Sequence, residues 1–361
     1  MMDYEIIRNS QFTFIVKKTR IIFSICRFIL LILCLQLCIS CQSPAFSTTP
    51  LPLTQPPSPL YSEEVIEVPL ARALHVMSYD RNRQVVVLFG GINETGNKLN
   101  DTWEYDGNSW KRIETPTAPP RRIGHAMVYD TDRNVTILFG GTTDDDEYTN
   151  DMWEYDGKNW KQIDALSKPS ARYNAAMIYD PEKQSMILFG GDGYGGQLWD
   201  TWEFNEGEWK EINIPPPLSG AGATYPQMVY DAQRAVTVLQ TTFSETFEYD
   251  GESWQNIFQF GNPQGVQGII IVPRLAYNTI QGKTILFGGE QIDNRNDTWV
   301  YENSIWSKVT PEKSPPARTS HAMVYDESRD VVVLFGGSNL EIKGDLLNDT
   351  WEFDGAIWIQ R

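Results

Sequence analysis

Three residue types recur at positions where they could do chemistry. Arg72, Arg122, Arg172 and Arg318 each stand seven residues before a tyrosine, and His75, His125 and His321 follow three of them at a spacing of three. Asp101, Asp151, Asp200 and Asp349 recur at a third fixed place. Three histidines are enough to ligate zinc or copper, but each of these occupies the same position in a different repeat, and repeated positions more often reflect repeated structure. We therefore expect no metal and no cofactor. The arginines and aspartates point to one end of their repeats, where a bidentate guanidinium–carboxylate pair would brace a loop. The same arginines and histidines are also candidates for holding a ligand. Trp199 joins them because it breaks the repeat, standing where the other units have Asn or Ser. Its readings are ligand stacking or one more packing contact.

The elements that must position these residues follow from the repeat. Tyr-Asp recurs at Tyr79, Tyr129, Tyr179, Tyr230 and Tyr325, with Tyr277-Asn278 as a variant, at spacings of 50, 50, 51, 47 and 48. A Gly-Gly pair lies eleven residues after each tyrosine, except where Leu239-Gln240-Thr241 replaces Phe-Gly-Gly. Asp-Thr-Trp-Glu-Tyr-Asp-Gly at 101–107 is echoed in every unit, followed by Trp110, Trp160, Trp209, Trp254, Trp306 and Trp358. A period near 50 indicates a propeller or solenoid. In the second unit the pattern predicts strands at His125–Tyr129, Val135–Phe139, Met152–Tyr155 and Trp160–Ile163. Asp156-Gly157 marks a hairpin between the last two.

The Gly-Gly, the Tyr before each Asp-Gly turn and the Trp after it resemble the Kelch repeat family over residues 70–361. The resemblance implies an all-β fold, a six-bladed β-propeller with four antiparallel strands per blade. The fourth unit, which lacks Gly-Gly, and the fifth, which ends Tyr301-Glu302-Asn303 without its glycine, are expected to be the distorted blades. The repeated tryptophans are expected to pack blade on blade. Alternating strand directions put loops 92–100, 142–150, 192–199, 290–296 and 338–348 on one face, with tight turns on the other. Unlike loops on a rigid scaffold are where specificity sits.

Residues 1–41 read as a leader. Lys17, Lys18 and Arg20 precede the apolar run 28–39, which is of signal-peptide length. Cys38-Ile39-Ser40-Cys41 resembles a bacterial lipoprotein signal, which implies lipidation of Cys41 and a cell-envelope location outside the cytoplasm. The alternative is an uncleaved anchor through residues 21–40, burying Arg27. Residues 42–66, with six prolines among Ser and Thr, read as an extended tether. The propeller is assigned to 67–361.

Of 361 residues, 30 are basic and 47 acidic, a net charge of −17, and residues 42–361 retain 25 basic against 45 acidic. Such a surface repels phosphate backbones, so no nucleic-acid partner is expected. All four cysteines, Cys26, Cys34, Cys38 and Cys41, precede residue 42. The repeats therefore have no thiolate nucleophile, no disulfide and no Cys–Tyr cofactor of the galactose-oxidase kind. Asp144-Asp145-Asp146-Glu147 lacks the spaced ligands of a calcium loop and reads as solvated. The sequence supports a binding module for a protein or a glycan. The alternative is a carbohydrate-active enzyme, an epimerase or lyase, acting at the pore.

Overall fold

A computed structural model describes residues 67–216, 225–241, 245–257, 274–289, 296–339 and 345–361. The leader, the tether, Cys41, loop residues 290–295 and 340–344 lie outside the described residues.

The described residues are all-β, with six four-stranded antiparallel sheets. Blade one is built from Val76–Asp80, Val85–Phe89, Thr102–Tyr105 and Trp110–Ile113, paired in that order. The innermost strands of successive blades, Val76–Asp80, Ala126–Asp130, Ala176–Asp180, Gln227–Asp231, Arg274–Asn278 and Ala322–Asp326, neighbour one another, and the last touches the first. The ring is closed. Each blade takes its four long strands from its own repeat, so no strand is exchanged between the first blade and the last.

Closure rests on side chains. Each fourth-strand tryptophan donates its indole N–H to the third strand of the preceding blade. Trp160 reaches Thr102, Trp306 reaches Thr246 and Trp358 reaches Thr298, each at 2.9 Å, and Trp254 reaches Thr201 at 3.3 Å. Trp110 of blade one reaches Thr350 of blade six at 2.9 Å and completes the circle. In blade three the acceptor is the Met152 sulfur, because methionine stands where the other units have threonine. A buried indole with a partner contributes apolar area without an unsatisfied donor. These tryptophans are therefore blade-to-blade packing residues.

Two expectations are corrected. In blades two and six the second strand runs through the Gly-Gly, as Val135–Thr143 and Val331–Asn339, and pairs with Tyr148–Tyr155 and Asp345–Phe353. Part of each expected loop is thus a hairpin, entered through a shift of register at the glycines. Blades four and five keep all four strands. Blade five makes its hairpin without glycine, since Asn303 and Ser304 adopt the two left-handed conformations such a turn needs.

Candidate functional site

The chain directions put strand two-to-three loops and blade connectors on one face, here the loop face. Its geometry is set by the recurrent arginines. Arg72 places two nitrogens on the Asp101 carboxylate at 2.7 Å, one of them also on the Gly90 carbonyl at 3.0 Å, and its Nε on the Leu70 carbonyl. Arg122 with Asp151, Arg172 with Asp200 and Arg318 with Asp349 repeat this arrangement. Each aspartate also accepts the indole N–H of the tryptophan two residues on, and its carboxyl is held below the usual range by the arginine despite partial burial. All four arginine side chains are 0% exposed, so their forks brace loops within their own blades.

The Gly-Gly pair carries the brace to the next blade. Gly91 donates its N–H to the Arg122 carbonyl, Gly141 to Arg172 and Gly289 to Arg318. A Cβ on Gly90 would sit 2.9 Å from the Arg122 carbonyl oxygen, and one on Gly91 2.8 Å from that of Ala73. Both glycines also take positive φ, 68° and 99°, so no other residue fits there without strain.

The three histidines do not converge. His75 packs edge-on against Phe335 of blade six, His125 against Phe89 of blade one and His321 against Phe287 of blade five. Their ring nitrogens lack hydrogen-bond partners. Burial, reinforced by the neighbouring arginines, keeps all three neutral, with the His125 pKa pushed down to about 3. No group of three His, Cys, Asp or Glu that could hold a metal occurs among the described residues. Trp199 is half-buried against Phe189, Leu239 and Phe247. This is packing at the junction of blades three and four.

Two surfaces on the loop face remain. One is the axial vestibule, a cavity of about 150 Å³ with Leu74, Gly124, Asn174 and Tyr225 among its lining residues. Those four, and Ser320, occupy one repeat position and all have φ between 55° and 60°. Amides pass from blade to blade at this level, Leu74 to the Ser320 carbonyl, Gly124 to Leu74 and Asn174 to Gly124. A left-handed leucine is costly by about 1 kcal/mol or more and persists only where its surroundings enforce it. The rim is a built collar.

The other surface lies over blades two and three. Tyr148 stacks between Tyr173 at 5.0 Å and Tyr194 at 4.7 Å, and its amide donates to the Tyr194 hydroxyl. Tyr194 is 71% exposed. Beneath the stack the Asp192 carboxyl has one buried oxygen without a partner, and burial raises its pKa. Beside it Asp144, Asp145, Asp146 and Glu147 are exposed, with Lys98 of blade one pairing Asp146. Reading the repeat for its recurrent residues passes over these tyrosines. The usable signal is that Tyr148 and Tyr194 are aromatic residues inside the loops that differ between units.

The family profile of the KLHDC2/KLHL20/DRC7 Kelch-repeats domain matches residues 106–255, from the outer hairpin of blade one to the last strand of blade four. That region is similar to those Kelch repeats. It lies within six four-stranded blades, so the fold is a six-bladed β-propeller. No curated protein matches the chain.

Proposed function

We propose that this propeller is a non-catalytic recognition module that binds a protein partner through the loop face of blades two and three. The observation that carries this reading is the Tyr173–Tyr148–Tyr194 stack, which presents the exposed Tyr194 ring on two half-buried ones. Tyrosines supply large contact area at low cost in side-chain entropy, which suits them to be interface anchors. The clamped arginines, with the wedged histidines and Trp199, serve this surface by holding its loops. A glycan could stack on the same ring. The acidic flank at Asp144, Asp145 and Glu147 favours a basic protein surface instead. The catalytic alternative at the pore has less support, since no Asp or Glu lines the axial vestibule among the described residues.

We further propose that Cys41 is lipidated and that residues 42–66 tether the propeller to a cell-envelope membrane. Support comes from the leader pattern in the sequence. Incorporation of an alkyne-tagged fatty acid, lost in Cys41→Ser, is the expected result; equal labelling of the variant would refute the anchor.

The recognition reading is tested by a photo-reactive phenylalanine analogue placed at position 194 and, as control, at the exposed Asn108 on the opposite face. A discrete protein adduct should form from 194 alone and disappear when Tyr148→Ala and Tyr173→Ala are added. Equal adducts from both faces would sink the assignment.

A further inference from the structure

Five of the six innermost strands begin, three residues before their tyrosine, with Val76, Ala126, Ala176, Gln227 or Ala322; the fifth blade begins with Arg274. Arg274 lines the axial vestibule. Its Nε donates to the His321 carbonyl at 2.7 Å, and its four other N–H groups have no partner among the described residues. No carboxylate pairs with it there. The segment before it in sequence, residues 258–273, contains no Asp or Glu. Burial alone depresses the guanidinium, down to about 10, with no opposing charge to raise it. His75 and His321 are kept neutral in part by Arg274 itself.

A half-buried cation with unused donors facing a cavity gains from an anion that joins it. The donor set selects the anion. A guanidinium fork matches a planar carboxylate in bidentate geometry. One positive charge in a chain of net charge −17 balances a monoanion and leaves a phosphate dianion under-compensated. The rest of the lining mixes polar groups, His75, Asn174 and Gln227, with apolar side chains, Met77, Met177 and Leu275. Its volume of about 150 Å³ holds on the order of ten waters, room for a small organic acid. We propose that the loop-face end of the axial channel binds a small monocarboxylate, its carboxylate on Arg274 and its apolar tail against the inner-strand side chains. This is a ligand site separate from the tyrosine surface.

The probes are acetate, butyrate and hexanoate at matched ionic strength, with chloride and inorganic phosphate as controls, titrated into the full-length protein while melting is followed by tryptophan fluorescence. Butyrate should raise the melting temperature saturably and more than acetate, and phosphate should not. Arg274→Met should abolish the shift, and Arg274→Lys should weaken the apparent affinity at least tenfold. Gln227→Glu offers an internal carboxylate from the adjacent strand. It should raise the melting temperature without ligand and remove the response to butyrate, which keeps the test decisive should Arg274→Met fail to fold. An unchanged butyrate response in Arg274→Met or in Gln227→Glu would overturn the proposal. So would equal stabilisation by phosphate, or no saturable shift with any of the three acids.

Discussion

Blades one, two, three and six each carry the Arg–Asp clamp on the loop face; blades four and five show none among the described residues, yet their sheets are complete. In blade four Gln240 accepts from Thr246 and donates to Thr241, a local substitute where Gly-Gly is missing. In blade five Lys308 pairs with Asp297. The tryptophan–hydroxyl circle, by contrast, runs unbroken through both. Sheet formation and loop positioning are thus separate tasks. The first depends on apolar residues and tryptophans present in all six units, the second on polar residues present in four.

The largest effect that would sharpen this contrast is acid sensitivity, because the wedged histidines occur only in clamped blades. A histidine held neutral in the fold, with its folded pKa below its unfolded value of about 6.5, takes up protons first in the unfolded chain. Stability is therefore lost as pH falls below about 6.5, and for His125 the loss continues toward about 3. At pH 5 the expected cost is about 2 kcal/mol for His125, with losses of the same sign for His75 and His321. Urea unfolding at pH 7 and 5 reads it, and His125→Ala, which copies Ala175 of blade three, should remove about 2 kcal/mol of the difference. An unchanged difference would mean that His125 is protonated in the fold.

Next in size is the circle that both sets of blades share. Trp160→Ala in a clamped blade and Trp306→Ala in an unclamped one should each cost about 4 kcal/mol, from lost area and the cavity left behind. Denaturant midpoints that differ widely between the two would contradict a common closure mechanism.

Smaller, and specific to the clamped set, is Arg122→Met. Removing the cation leaves Asp151, 19% exposed, without its main partner, at a cost of about 3 kcal/mol. The damage should be local. Hydrogen exchange should rise in loop 142–150 and leave the hairpin turn at 156–159 protected. Uniform loss of protection would merge the two tasks that the comparison separates.

Much of this organisation is legible in the chain. The period, the Gly-Gly, the Asp-Gly turns and the second tryptophan of each unit predict six four-stranded blades, because each encodes a local or nearest-neighbour requirement. The bracing by Arg72 and Asp101 is legible for the same reason, since both belong to one repeat. Arg274 and the tyrosine stack are not, although Arg274 stands out once the six inner strands are aligned. A lone residue in a repeat acquires meaning only from the neighbours that other repeats bring to it.

The sequence by itself therefore determined the number of blades, their strand order and the face that bears the unlike loops. Side-chain periodicity, turn chemistry and repeat spacing are properties of contiguous residues. Only the tertiary structure decided that the histidines part into three interblade wedges, that Trp199 packs between blades, that Tyr148, Tyr173 and Tyr194 meet, and that Arg274 faces the axis without a counterion among the described residues. Closing the ring joins residues from different blades at distances and orientations that no spacing along the chain specifies.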